Sequence, residues 1–500
     1  MKVLFPLGKL MASIASSLLL VTSAMGQIPA SPQPKPTSQQ AVRRIDFSNQ
    51  HWTGDFDQML ERRIIRVLVP YSRTLYFTDK GHERGITAEN VRDFESWINK
   101  KYAQTLRKRP LTVFIIPTTR DKLLPEVTKG MGDIAAGDVT VTQDRLKEVD
   151  FASPEDTFAV KELVITGPKS PTVLTAEDLS GKTVHVRKSS SYYESLEALN
   201  ERFKKEGKPS VRMVFVPDAL EDEDMMEMLN AGLLETIIVD DWLAEIWAQI
   251  LPGIKANRQA AVREGGKIGW AVRKGSPKLI SEILDFNRGF LKKQEKVAER
   301  IKHYMSRVKQ IKNSTGTAQW KRFEQTLALF EKYGQKYNFD ALMLAAQGFQ
   351  ESQLDQNARS PKGAIGVMQI MPATGAELRV GDIQKMEPNI HAGAKYMDQL
   401  MARTFPDANF SEVDRSLFAF ASYNAGPGNI SRMRKVAAKR GLNPDKWFNH
   451  VEIVTAQKIG METTTYVRNI YKYYVSYKLQ LDAQETARKA REQVAPGTSK

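Results

Sequence analysis

Between Arg66 and Val272, short Val/Ile/Leu-rich runs alternate with amphipathic stretches, in two successive passes, and after about residue 315 the alternation stops. This switch of period constrains the fold more than any other feature of the chain. In the first pass Arg66–Val69, Leu111–Ile116 and Ile134–Ala136 read as buried strands, with helical periodicity over Glu89–Tyr102 and Arg120–Thr128. The second pass places strands at Thr183–Arg187, Val211–Val216, Thr236–Val239 and Ile268–Val272. Its helices fall at Tyr192–Glu206, Asp222–Ala231 and onward from Pro277. Strands alternating with helices predict mainly parallel sheets. Two such units in succession predict a two-lobed α/β clamp with a ligand cleft at the carboxyl ends of its strands. Beyond residue 315 helical spacing recurs over Trp320–Tyr337, Ala341–Gln353, Ala364–Leu378, Ile390–Ala402, Glu412–Tyr423, Asn429–Ala438 and Thr463–Lys478, which predicts an all-α region.

The chemistry is concentrated in Ala345–Pro372, AAQGFQESQLDQNARSPKGAIGVMQIMP. Asn338 or Asp340 can cap a helix starting at Ala341. Leu344, Gln347, Gly348 and Glu351 then share one face. A carboxyl at the end of a mostly apolar helix tends to stay protonated, because desolvation disfavours its charge. A protonated carboxyl near neutral pH is what glycoside cleavage needs as general acid. Taken alone, Glu351 reads more readily as a solvated helix-end residue. Asp355 lies beyond the helix end and reads as a turn residue.

Two further motifs follow in order, Ala421-Ser422-Tyr423-Asn424-Ala425-Gly426-Pro427-Gly428 and Glu462-Thr463-Thr464-Thr465-Tyr466-Val467. With Glu351-Ser352 and Gly366-Val367-Met368-Gln369-Ile370-Met371-Pro372, they resemble the motifs of the soluble-lytic-transglycosylase family, which has a lysozyme-like fold. The resemblance implies Glu351 as the catalytic acid, with no second carboxylate needed. It implies substrate contacts from Ser352, Ser360, Gln369, Tyr423 and Asn424, with Met368 and Met371 as apolar walls and Glu462 and Tyr466 one helical turn apart on the same groove. Glu462 reads equally as an N-terminal helix charge.

The first region resembles the periplasmic solute-binding proteins of the polar amino acid type. The likeness rests on Gly132-Asp133-Ile134-Ala135-Ala136, Thr140-Val141-Thr142-Gln143-Asp144-Arg145 and Val149-Asp150-Phe151-Ala152-Ser153-Pro154. It implies that Arg145 clamps a ligand carboxylate and that Asp240, or its neighbour Asp241, holds an ammonium, with Thr140 and Ser189 adding hydroxyls. Arg145 paired with Asp144, Glu148 or Asp150 is the structural alternative. Tyr71 and Tyr76 are candidate ligand aromatics. The ligand is expected to be a free amino acid or a cell-wall peptide.

The fold class expected is therefore multidomain: a two-lobed α/β periplasmic-binding-protein-like domain over 53–310, then an all-α lysozyme-like domain (of the α+β superfamily) over 315–478. Lys2 and Lys9, the apolar Met11–Val21 core and the small residues Ala24 and Gly26 predict a signal peptide over 1–26, cleaved before Gln27. Residues 27–52 read as a Pro/Ser/Gln-rich linker and 479–500 as a charged tail. With 0 Cys there is neither a disulfide nor a lipid-bearing cysteine. The implied compartment is the periplasm, and peripheral association with the outer membrane is compatible with it.

A net charge of +15 suits an anionic polymer, and the absence of any zinc-finger spacing or other nucleic-acid module argues against nucleic acid. Peptidoglycan, with its free peptide carboxylates, fits. No metal-ligand spacing and no cofactor motif is present. The function expected is non-hydrolytic cleavage of murein. A water-using lysozyme of the same fold, or a solute receptor with an inactive lysozyme-like part, are the competing readings.

Overall fold

Two five-stranded sheets carry the first region. The second is one continuous stretch of chain, and the Ile268–Arg273 strand that follows it returns to the first sheet instead of staying with the second unit as the sequence order suggested. The structure is a computed structural model that describes residues 51–154, 159–290, 299, 301–302 and 311–494. The expected signal peptide, most of the expected linker and the last residues of the expected tail lie outside the described residues.

The first sheet runs in the order Thr112–Thr118, Ile64–Pro70, Ile134–Thr140, Ile268–Arg273, Val149–Ala152. Its first three strands are parallel, and the Ile268–Arg273 strand is antiparallel to both of its neighbours. The second sheet runs Lys255–Gly266, Val160–Thr166, Thr236–Asp240, Thr183–Val186, Arg212–Phe215. Its last three strands are parallel, and the Val160–Thr166 strand is antiparallel to both of its neighbours. The sheets are therefore mixed, where strand–helix alternation alone predicted mainly parallel ones. The antiparallel members come from the two places where the chain crosses between lobes. The Val160–Thr166 strand follows the first crossing, and Ile268–Arg273 follows directly on Lys255–Gly266. A two-lobed α/β unit joined in this way matches the predicted clamp.

Sequence reading also left out the hairpin Phe77–Asp79 with His82–Arg84. This hairpin leaves its own lobe and packs on the helical region. Lys80 N donates to Ala456 O at 2.9 Å, and Met461 N donates to Asp79 Oδ1 at 3.2 Å.

The second region is helical. Helices span Thr317–Tyr337, Ala341–Ser352, Pro372–Leu378, Met386–Thr404, Glu412–Ala425, Pro427–Lys439, Glu452–Lys458 and Met461–Val494. Ala341–Ser352 is buried along most of its length, between Thr317–Tyr337 and Met461–Val494. Aromatic rings seal this layer: Tyr477 stacks on Phe323 with centroids 4.1 Å apart, and Phe349 meets Tyr473 edge-on at 4.6 Å.

The helix predicted over Ala364–Leu378 forms only from Pro372. Before it the chain makes two short bridges, Arg359 with Ile365 and Ile365 with Ile370. Gly366 explains this at φ 76°, where a Cβ would also lie 2.6 Å from the side chains of Asn389 and Gln356. Gln369 adds a second left-handed residue at φ 49°.

At the end of the Ala341–Ser352 helix, Gln353 and Leu354 are both left-handed, at φ 58° and 61°. The Gln353 N–H closes back on Gly348 and Phe349 carbonyls, a C-cap that stops the helix one residue after Ser352. Glu351 is thereby fixed in the last turn. At the other end Asp340 caps the helix as expected, accepting from Leu342 N at 2.7 Å and Met343 N at 3.0 Å.

Candidate active site

Glu351 is half-buried, and the Tyr466 hydroxyl lies 2.5 Å from its Oε1. Tyr466 comes from the Met461–Val494 helix, so the contact joins the acid's own helix to one of the two that flank it. Burial first, and then the neighbouring Glu351 charge, push the Tyr466 phenol well above its ordinary range. Tyr423 is shifted the same way, by burial and then by Glu351 and Tyr396. Two neutral phenols therefore flank the carboxyl at any physiological pH, one of them able to donate to it when it ionises.

The other motif residues divide into those that build the site and those left open at its surface. Ser352 is committed to backbone: it donates to Val367 O at 2.9 Å and Gly348 O at 3.2 Å, and accepts from Asp355 N at 3.1 Å. It pins the glycine-rich segment beneath the acid. Met368 is fully buried, its N–H on Asn389 Oδ1 at 2.8 Å, whereas Met371 is 42% exposed. Of the two methionines expected as sugar walls, Met371 is the one at the surface.

Tyr423 spends its hydroxyl proton on Met368 O at 2.7 Å and keeps only lone pairs for a ligand. Gln369 Nε2 donates to Gly366 O at 2.9 Å. Ser360 Oγ accepts from Ala364 N at 2.9 Å, closing the turn before the glycines. Asn424 is exposed, its Oδ1 accepting from Thr463 Oγ1 at 2.9 Å. Glu462 is exposed in the first turn of its helix. Asp355 Oδ1 accepts from Asn357 N at 2.9 Å, so this acid does occupy a turn.

A cavity of about 220 Å³ opens between the two sheets. Thr140, Arg145 and Ser189 line it, together with Arg120, Asp138 and Tyr192. Arg145 Nη1 donates to Thr140 O at 3.0 Å and Nη2 to Ser189 O at 3.3 Å. The bond to Ser189 crosses from one lobe to the other, and the bond to Thr140 stays within the first. Its ion-pair partner is Glu194, at 3.2 Å, and none of the three nearby acids weighed from sequence. Asp144 pairs instead with Lys147, and Asp150 with Lys274.

Asp240 is 1% exposed, and its Oδ1 has no hydrogen-bond donor among the described residues. Asp138, a cavity residue at φ 60°, lies against it. Burial pushes the Asp138 carboxyl up to about 7, with Arg120 opposing and Asp222 adding to the rise. Burial, then Asp138 and Glu162, hold Asp240 well above the carboxylate range. Sequence reasoning missed Asp138, although it lies between two of the quoted motifs. Tyr71 and Tyr76 are buried away from this cavity, Tyr71 against Glu452 and Arg468 of the helical region. The aromatic wall is Tyr192.

Among the described residues no group of His, Cys, Asp and Glu could hold a metal ion, and no helix is long and apolar enough to cross a membrane.

Residues 67–307 match the family model for bacterial extracellular solute-binding proteins, family 3, and residues 328–445 match that for the transglycosylase SLT domain. A protein of Desulfosudis oleivorans named membrane-bound lytic murein transglycosylase F is 28% identical over 377 residues, covering 71% of this chain and 79% of its own length. A protein of the same name from Pseudomonas fluorescens Pf0-1 is 28% identical over 440 residues, covering 84% and 85% respectively. Among solved structures, the P235GK mutant of ArgBP from T. maritima covers 50% of this chain and 98% of its own, at 21% identity and a TM-score of 0.38. With both domain models matched in this order, and relatives alike along most of their length, the chain carries a family 3 solute-binding domain followed by a transglycosylase SLT domain and is similar along most of its length to the membrane-bound lytic murein transglycosylase F proteins.

Proposed function

We propose that this chain cleaves the β-1,4 bond between N-acetylmuramic acid and N-acetylglucosamine in peptidoglycan without water, leaving 1,6-anhydro ends, while its clamp binds a small regulatory ligand. The observation that carries the reading is Glu351, fixed in the last turn of a buried helix with the neutral Tyr466 phenol on its carboxyl. In the first step Glu351 gives its proton to the glycosidic oxygen as the C1–O bond breaks. The substrate's acetamido oxygen supports the cationic carbon. Glu351, now ionised and held by Tyr466, takes the proton of the muramoyl 6-hydroxyl as that oxygen closes on C1. One residue serves as acid and then base, so no second carboxylate at glycosidase spacing is required. Mass spectrometry of murein digested by the purified chain tests this. Anhydro-muropeptides are expected. Reducing ends in their place would mean a lysozyme-type hydrolase, and no product at all a receptor.

The chain is further proposed to work in the periplasm after cleavage near Gln27, with any membrane association peripheral. Protein recovered from the envelope is expected to begin near Gln27. A full-length amino terminus in washed membranes would overturn this.

In the clamp, Arg145 is the proposed anchor for a ligand carboxylate, with Thr140 and Ser189 beside it, and Asp240 for an ammonium. A free amino acid and a wall peptide both present these groups. Arg145→Ala is expected to weaken binding about ten- to a hundredfold by calorimetry, because hydrogen bonds to charged groups contribute roughly 1.5–3 kcal/mol.

Affinity for an ammonium ligand is also expected to depend on pH. Asp138 has a raised carboxyl facing Arg120, Asp222, Asp240 and Trp242. In the empty clamp its proton stabilises the fold below the ordinary carboxylate range, and that contribution is lost as pH rises towards about 7. A ligand cation favours the ionised form, so binding should tighten from about pH 6 to about pH 8. An affinity independent of pH over that range would remove Asp138 from the ligand's surroundings.

A further inference from the structure

The Pro427–Lys439 helix and the end of the Glu452–Lys458 helix enclose a groove of about 450 Å³. Arg432, Lys435 and Lys458 line it and are exposed, while Met433, Val436 and Ile459 give it an apolar wall. No acid lines it. Among the described residues neither Lys435 nor Lys458 has a carboxylate within ion-pair distance, and Arg432 donates only to the neighbouring Asn429 Oδ1. On the same helix, by contrast, Arg434 is paired with Asp445. Three like charges around one concavity repel each other, and an anionic ligand relieves that repulsion.

Two residues of the groove's lining connect it to the catalytic motifs. Asn429, on its lining, bonds back through Nδ2 to Ala425 O at 2.7 Å, and Ala425 follows Asn424 directly. Lys458 lies four residues before Glu462, and Thr463 holds Asn424.

We propose that this groove is a subsite for the peptide stems of the glycan, in which Arg432, Lys435 and Lys458 read the stems' free carboxylates while the apolar wall takes their aliphatic parts. The assignment rests on the peptidoglycan reading above. It makes the enzyme prefer strands that still carry peptides.

The test gives the purified full-length chain two glycan substrates of the same length, one with its peptide stems and one stripped of them by an amidase. The parent should show a higher kcat/KM on the stem-bearing strands, and the preference should shrink as salt rises. Arg432→Gln/Lys435→Gln/Lys458→Gln should lower the ratio of the two kcat/KM values by about three- to tenfold, mainly through KM, as expected for a few exposed ion pairs. Lys435→Arg should keep the ratio and Lys435→Glu should lower it. A parent without preference, or a triple variant with the parent's ratio, overturns the subsite while leaving the transglycosylase reading intact. Absence of anhydro product from both substrates would overturn that reading and the subsite with it.

Discussion

Glu351→Gln is expected to lower the release of 1,6-anhydro products by about 10²–10⁴-fold, the span that general acid–base catalysis contributes. The substitution keeps the shape of the side chain and a hydrogen-bonding oxygen for Tyr466, so the helix and its C-cap should persist. What it removes is the proton needed in the first step and the base needed in the second. Because one group serves both steps, no pH should rescue the variant. Asp355→Asn is the matched control. Its Oδ1 accepts from Asn357 N within a turn, and asparagine can do the same. Activity of Asp355→Asn near the parent's, beside a silent Glu351→Gln that still sediments with murein, is the expected pair of results. Equal loss in both variants would revive a mechanism with two carboxylates.

Arg468→Met is expected to cost about 3–5 kcal/mol of stability, the penalty for leaving buried charge unpaired. Arg468 belongs to a buried ion cluster that joins three parts of the chain. Arg73 follows the first strand of the first lobe, and Asp224 and Glu227 lie on the Asp222–Asn230 helix of the second. Glu452, Arg468 and Lys472 come from the helical region. Arg73 lies 3.0 Å from Asp224 and 2.8 Å from Glu227. Arg468 lies 2.9 Å from both Asp224 and Glu452, and Lys472 contacts Asp224 at 2.9 Å and Glu227. Burial opposes ionisation of Asp224, but Lys472, Arg468 and Arg73 outweigh it and hold the carboxyl far below its usual range. Glu227 is lowered as well, Arg73 and Lys472 outweighing its burial. Two depressed carboxyls contribute stability that is complete above the ordinary carboxylate range and is lost as pH falls. Thermal melts should therefore show a lower midpoint for Arg468→Met near neutral pH, with the gap to the parent narrowing in acid. Arg468→Met combined with Glu452→Met should recover part of the loss, since it removes one stranded acid along with the cation. A variant melting with the parent at neutral pH would show that the cluster holds nothing together.

The two-lobed region and the acid's helix were legible because their signals are local. Asp340 stands at a cap position, Glu351 ends an apolar run, and each parallel strand is a short Val/Ile/Leu run flanked by helical spacing. The Ala364–Leu378 segment misled because Ile365, Met368 and Pro372 are spaced like a helix face. The backbone at Gly366 and Gln369 decides otherwise. The mixed sheets were hidden because strand direction depends on where the chain crosses between lobes. Least legible were long-range pairs. Arg145 meets Glu194 and Arg468 meets Asp224 across 49 and 244 positions, and nothing near either arginine announces its partner. The same holds for Tyr466, whose place on Glu351 follows from how two helices pack.

Tyr466 and Arg468 stand two positions apart on one continuous helix, and so point about 200° apart around its axis. One faces the catalytic carboxyl and the other faces the clamp. This spacing makes the helix a ruler for insertions and deletions. A single residue gained or lost between them would turn one side chain about 100° away from its partner while the other stayed seated. Changes of helix length are tolerable here only in near-whole turns, or beyond Tyr477 towards the carboxyl end. Fusions that graft this helical region onto another partner domain would need to respect the same phase.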